Sequence, residues 1–197
     1  MSKEPENTIT LTPRQVAVVH EFIFGPAHLS CNQFSLIDGY IELRIRHEEP
    51  EKRLSLLKRL SGCAATAEDL FKRLADEAER AQLAVQDGRF CPQNDGELSG
   101  ESFNGLRRPT TPVSLKAKQL EAYFRRFADW AKKVTALVNA TLNRIEQSTS
   151  DSSLIEVHDE FKSGSAVLWE AQKLLVAKFN SMCGIERRER NQQFQMG

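Results

Sequence analysis

Residues 112–147, PVSLKAKQLEAYFRRFADWAKKVTALVNATLNRIEQ, decide the fold of this chain. Apolar side chains recur along this stretch at alternating spacings of four and three residues, which places them on one face of a helix. Pro112 suits the first turn of a helix, because its missing N–H has no helical partner there. The stretch therefore predicts one long helix. Its two rows of core residues are Leu120, Phe127, Val134 and Thr141, and Phe124, Ala131, Val138 and Ile145.

A second long helix is predicted over residues 153–183, where large apolar residues again recur every seven positions. The connection at 148–153 is short and rich in capping residues, with Asp151 or Ser152 as the expected cap. A short connection makes consecutive helices antiparallel, so we expect residues 112–184 to form a helical hairpin. The repeating residues of the second helix are Leu154, Phe161, Leu168, Leu175 and Met182.

Residues 9–87 are expected to form an N-terminal helical half that packs on the hairpin. Thr12 and Gln15 have the spacing of a capping box, in which each side chain bonds the other residue's backbone N–H. The helix that begins there is expected to end at Gly25 and Pro26, because glycine and proline punctuate helix ends.

The rest of this half is less regular. Residues 33–47 carry isoleucines four apart, as in a helix, but apolar and charged residues also alternate there, as in a strand; we favour the helix. A short helix over 51–61 is expected to end at Gly62, and a longer, alanine-rich helix is expected over 66–87.

The remaining segments are polar or rich in glycine and proline. Residues 1–8 are expected to be disordered, 88–111 to form a long loop, and 185–197 to form a polar tail. The sequence therefore predicts an all-α protein: one domain, a helical bundle of five or six helices built on the long C-terminal antiparallel hairpin.

Composition excludes several classes of protein. The net charge is zero, so no global field attracts nucleic acid or anionic lipid. The sequence has no apolar run long enough to span a bilayer, and residues 1–7 lack the apolar core of a signal peptide, so we expect a cytoplasmic protein without membrane contact. The four cysteines are far apart in sequence, which favours reduced thiols.

The motifs of common catalytic and metal sites are missing from the sequence. None of the four histidines follows a glutamate by three residues, as a di-iron bundle requires, and no Cys-x-x-Cys pair occurs. No Gly-x-Ser-x-Gly elbow and no phosphate-binding loop occur either. We therefore expect no catalytic residue, no metal and no cofactor, and we expect the protein not to be an enzyme.

Charge is unevenly distributed despite the zero total. Residues 107–133 carry eight bases and two acids, whereas residues 146–160 carry five acids and no lysine or arginine. Basic residues of the 112–147 helix are expected to share one face, bordered by Tyr123 and Trp130. Such a stripe favours phosphate binding, while a solvated helix face is the plainer interpretation. The basic residues in question are Lys118, Arg125, Arg126, Lys132 and Lys133.

Residues 11–23, LTPRQVAVVHEFI, resemble the first helix of the winged-helix domain in LexA-type repressors. The resemblance covers thirteen of 197 residues and would imply DNA reading. Residues 29–47 do not show the turn and recognition helix that should follow, so we make no family assignment.

We therefore expect a non-catalytic interaction, adaptor or regulatory protein that binds a protein partner, or itself, through long helical faces. The expected partner-binding residues are Tyr123, Arg126, Trp130 and Lys133. Binding of nucleic acid through the basic stripe is the first alternative. A ligand-binding or enzymatic cavity between the helical halves is the second.

Overall fold

The computed structural model describes residues 7–46, 49–92, 106–148 and 150–187. Within these ranges the chain forms four long helices and four short strands. The helices are α1 (Pro13–Arg46), α2 (Pro50–Gln86), α3 (Ala117–Gln147) and α4 (Asp151–Cys183). The strands are β1 (Thr8–Leu11), β2 (Leu106–Arg107), β3 (Val113–Lys116) and β4 (Glu186–Arg187). The expected all-α class is confirmed.

The four helices surround one core. Helices α1 and α3 each pack against both α2 and α4, and the most extensive of these contacts joins α2 to α3. Trp130 of α3 contacts Leu168 of α4, while Leu137 lies 2.8 Å from where a Cβ on Gly164 would stand. Residue numbers rise on one helix as they fall on the other, so α3 and α4 run antiparallel. The main partner of α3 is nevertheless α2.

The predicted core rows of α3 are confirmed. All eight residues of the two rows are buried, and Phe127 at their centre is completely so. On α4, Leu154, Phe161 and Leu168 are buried, whereas Leu175 and Met182 are only partly covered. Toward the C-terminal end of α4 the buried positions are instead Gln172, Phe179 and Cys183, so the buried side of the helix departs from the predicted seven-residue row.

The expected helix end at Gly25 and Pro26 is wrong, because α1 continues through both residues to Arg46. An interior proline removes one helical hydrogen bond and costs about 3 kcal/mol. Pro26 is buried within an uninterrupted stripe, and burial of that stripe offsets the cost. The stripe consists of Val16, Val19, His20, Ile23, Ser30, Phe34, Ile37 and Ile41.

The capping box is confirmed: Thr12 N donates to Gln15 Oε1 at 2.9 Å, and Gln15 N donates to Thr12 Oγ1 at 3.2 Å. The preference for helix over residues 33–46 is confirmed as well.

The expected break at Gly62 is also wrong, since α2 is continuous from Pro50 to Gln86. Gly62 is exposed, and nothing lies within 4 Å of the position its Cβ would occupy, so it only lowers helix propensity. Thr66 donates its hydroxyl to the Gly62 carbonyl at 2.9 Å instead of capping a new helix. Within the described ranges α1 and α2 therefore each join two of the predicted helices into one long helix.

Helix α3 begins at Ala117 rather than at Pro112, because Val113–Lys116 forms a strand. β3 pairs antiparallel with β1, with Ile9 opposite Leu115 and Leu11 opposite Val113. Leu11 and Leu115 are buried, so the alternating residues of both strands cover one end of the bundle. Thr8 therefore lies in a strand, whereas the expected disorder of residues 1–6 falls outside the described ranges.

Other segment ends are defined by capping and short pairings. Ser150 caps α4 by accepting from Ser153 N at 3.3 Å, in place of the expected Asp151 or Ser152. Gly184 ends α4 with φ at 64°, a conformation that favours glycine. β2 pairs with β4, which joins the end of the predicted loop to the start of the predicted tail. Residues 93–105 and 188–197 lie outside the described ranges. No helix within those ranges is both long and apolar enough to cross a membrane.

Polar side chains of α1 and α4 contact each other at two places. Ser30 Oγ donates to Gln172 Oε1 at 2.9 Å, and both residues are buried. His158 Nε2, in the N-terminal part of α4, lies 2.7 Å from Asp38 Oδ1 of α1. A buried polar group that is displaced from its hydrogen-bond partner destabilises the fold, because it is removed from water without a replacement bond. These contacts therefore fix how α1 and α4 are aligned along their axes.

The contrast between Leu168 and Leu174 tests this packing. Leu168 is 8% exposed and Leu174 is 71% exposed, although both lie on α4. We expect Leu168→Asp to lower the free energy of unfolding by at least about 3 kcal/mol, because it buries a charge without a partner. Leu174→Asp should change it by less than about 0.5 kcal/mol. Urea denaturation of both variants measures the difference; equal midpoints would contradict this assignment of the core.

Candidate groove between α3 and α4

The four residues predicted to bind a partner line one groove. Tyr123, Arg126, Trp130 and Lys133 follow one another by three or four positions on α3, so they share the side of that helix that faces α4. The groove encloses about 700 Å³. Its α4 wall consists of Val167, Leu168, Ala171, Leu174, Leu175, Lys178 and Met182.

Tyr123 and Trp130 form the floor of the groove rather than its rim. Each is 3% exposed, so a partner would reach them only at the bottom of the groove, and their role as contact residues stays a prediction. Trp130 Nε1 donates to the Leu168 carbonyl at 3.0 Å, and its ring meets Phe71 edge-on at 5.6 Å. These contacts hold the indole on the inner side and leave it little freedom to move.

Apolar residues of α4 that the sequence analysis missed form the exposed wall. Leu174 is 71% exposed and Val167 is 66% exposed, the two highest values among the large hydrophobic side chains of the described ranges. Val167 adjoins the buried Leu168, and Leu174 adjoins the partly covered Leu175. The signal was present in the sequence, because apolar residues of α4 occupy a wider arc than one core stripe requires.

The rim of the groove is basic. Arg126 and Lys133 of α3 and Lys178 of α4 are exposed beside the apolar wall, and Asp129 is the only acid among the groove residues. None of these three bases forms an ion pair with another described residue. A partner at this surface would therefore meet hydrophobic side chains flanked by uncompensated positive charge.

Only part of the predicted basic stripe borders the groove. Arg126 and Lys133 border the groove, whereas Lys118, Arg125 and Lys132 do not line it. All five are exposed, but two of them have acidic partners. Arg125 pairs with Glu121 at 2.9 Å, and Lys132 pairs with Glu79 of α2. The hydrogen bond and charge of Glu79 raise the pKa of Lys132. Binding of phosphates by this set of bases stays a prediction, and two of its members already have acidic partners.

A buried polar cluster lies behind the groove floor. The Phe179 ring contacts the rings of Tyr123, at 5.6 Å between centroids, and of His20, at 6.3 Å. Burial raises the pKa of Tyr123 well above its usual value and raises the pKa of the Cys183 thiol to about 12. Burial lowers the pKa of His20 to about 4, against opposing contributions from Asn180 and Glu21. All three groups are therefore neutral at pH 7, and a protonated thiol is a poor nucleophile.

A second, smaller pocket of about 230 Å³ lies between α1 and α4, beside the contact of His158 with Asp38. Lys162 Nζ also approaches Asp38 Oδ1, at 3.9 Å. The described residues contain no group of three or more His, Cys, Asp or Glu side chains placed to hold a metal ion.

Comparison with protein-family models, with curated proteins and with solved structures finds no match to this chain.

Burial of His20 predicts a defined pH dependence of stability. Its pKa is near 6.5 when unfolded and about 4 when folded, so the unfolded state takes up the proton first as the pH falls. The stabilising contribution of neutral His20 is complete above pH 6.5 and is lost progressively toward pH 4. We expect the free energy of unfolding to fall less steeply over this range in His20→Leu than in the natural chain. Urea titrations at several pH values measure both slopes, and equal slopes would contradict the burial of a neutral imidazole.

Proposed function

We propose that this is a non-catalytic interaction protein whose α3–α4 groove docks an acidic, amphipathic helix presented by another protein molecule. The observation that carries the proposal is the exposure of Leu174 and Val167 beside a rigid aromatic floor. Full burial of a side chain of this kind contributes about 1.5–3 kcal/mol. A helix seated in the groove would cover both side chains at once.

The composition of the groove supports a protein ligand. Aromatic residues, methionine and arginine are enriched at protein interfaces, and the groove contains Tyr123, Trp130, Met182 and Arg126. Hot spots form where buried aromatic anchors are surrounded by residues that exclude water. The groove runs between two long helices, α3 and α4. This shape matches the helix-in-groove mode, in which side chains at positions i, i+4 and i+7 of a bound helix enter one apolar channel.

Charge supports an acidic ligand. Three exposed bases and one acid border the groove, so glutamates that flank the apolar stripe of a docking helix would meet opposite charge. Complementary charge at a rim raises association rates and selects against basic competitors.

A cytoplasmic location is part of the proposal. Cys63, Cys91 and Cys183 are free thiols, and unpaired cysteines are typical of proteins in reducing compartments.

Titration with a designed peptide tests the docking. The probe is a fluorescein-labelled helix of about five turns, with leucine at i, i+4, i+7 and i+11 and glutamate elsewhere. We expect micromolar binding that Leu174→Asp weakens at least tenfold, or about 1.4 kcal/mol, because the substitution places a carboxylate in the apolar wall. Fluorescence anisotropy measures the Kd.

Two controls accompany this titration. Leu83→Asp alters a side chain on α2 that is 57% exposed and does not line the groove, so it should leave the Kd unchanged. A peptide with lysine in place of glutamate should bind more weakly, because it meets the basic rim. Equal affinity for both peptides, or equal effects of Leu83→Asp and Leu174→Asp, would refute the proposed groove.

Nucleic-acid binding is the second proposal, supported by the exposure of Lys118, Arg125, Arg126, Lys132 and Lys133. It requires affinity for a duplex or single strand that falls steeply with salt and is abolished when Arg125 and Arg126 both become glutamate. Filter binding at low and at physiological salt measures this. The pairing of Arg125 and Lys132 with acids makes the groove the better supported site.

A further inference from the structure

One exposed line of side chains along α4 carries opposite charges at equal distances from its centre. Glu156 lies eleven residues before Val167 and Lys178 lies eleven residues after it, while Glu160 and Leu174 lie seven residues to either side. Eleven residues make about three turns and seven about two, so all five side chains lie within about 20° of one line along the helix. All five are exposed. The line is therefore acidic at one end, apolar in the middle and basic at the other end.

The two terminal charges of this line are not compensated within the described part of the chain. Glu156 and Lys178 form no ion pair there, whereas Glu160 pairs with Arg144 of α3. Glu156 and Lys178 are 22 residues apart, which is about 33 Å of helix, so they are too far apart to meet within one molecule. A helix with the same pattern and the opposite direction would neutralise both.

We propose that the helix that docks on this face is α4 of a second copy of this chain, antiparallel to the first and related to it by a two-fold axis at Val167. Glu156 then faces the partner's Lys178, and Lys178 faces the partner's Glu156. Because the contact is isologous, each favourable pair occurs twice. This inference rests on the proposed function, since it identifies the molecule that presents the acidic helix.

Features of α3 agree with this arrangement. Arg126 borders the groove beside the basic end of the line, where it would meet the acidic end of the partner's α4. Ala136 and Ala140 continue the same side of α3 toward its C-terminal end, and both are exposed. Their small side chains would allow the partner's apolar wall to approach the acidic half closely. Val167 of both copies would leave water together at the axis, and each Leu174 would lie opposite the partner's Glu160.

Charge reversal tests the symmetry directly. We expect the natural chain to dimerise as its concentration rises in sedimentation velocity experiments. Glu156→Lys and Lys178→Glu should each weaken the dimer at least tenfold, because each places like charges opposite one another twice. An equimolar mixture of the two variants should regain the affinity of the natural chain, because every pair in the mixed dimer is again opposite in charge. The double variant E156K/K178E should also regain it.

The control variant is Lys173→Glu, which changes charge on another face of α4, over Trp169, and should leave the dimer unchanged. Circular dichroism confirms that each variant is folded. A natural chain that stays monomeric at the highest soluble concentration would overturn the inference, as would single reversals without effect or a mixture no tighter than its components.

Failure of this inference can be separated from failure of the proposed groove. Glu156 does not line the groove, so the Glu156→Lys variant should still bind the acidic probe peptide. Peptide binding without dimerisation would retain the groove and assign it to a different protein partner. Loss of both would reject the groove itself.

Discussion

The close packing of α3 on α2 is the constraint on which the other features depend. Small buried residues on both helices, among them Ala75 and Ala78 on α2 and Ala128 and Ala131 on α3, permit the two backbones to approach. Helices approach most closely where side chains at the contact are small. The side of α3 that faces α4 is covered less extensively than the side that faces α2. The groove lies on that less covered side, so it follows from the packing of the bundle rather than from an added loop.

The sequence was sufficient for the central features of the fold. The seven-residue rows of α3, the capping box at Thr12 and Gln15, and the end of α4 at Cys183 were all predicted correctly. These features are local, since hydrophobic periodicity and capping depend on residues within one or two turns of each other. A short stretch of sequence therefore contains all the residues that determine such a feature.

The errors have a common origin in long-range contacts. Pro26 and Gly62 weaken a helix locally, but the core stripes of α1 and α2 continue past them, and burial of those stripes decides the outcome. The strand at Val113–Lys116 exists because β1 pairs with it, and no local pattern identifies a partner that lies about a hundred residues away. Likewise, the seven-residue spacing of Tyr123 and Trp130 predicted that they share one side of α3, but it did not predict that both side chains are buried. The exposed wall at Val167 and Leu174 was missed because both were interpreted as part of a helix with a single buried face.

The hydrogen bond between Ser30 and Gln172 has a consequence for the groove, although it lies outside it. If α4 slid by one turn, about 5.4 Å, both buried polar groups would lose their partner at about 1–3 kcal/mol each. Apolar packing alone is tolerant of such a slide, because one leucine can replace another. The same displacement would bring Lys178 or Glu170 to the level now held by Leu174, and the hydrophobic wall would become a charged one. The Ser30–Gln172 hydrogen bond therefore helps to determine which side chains of α4 line the groove.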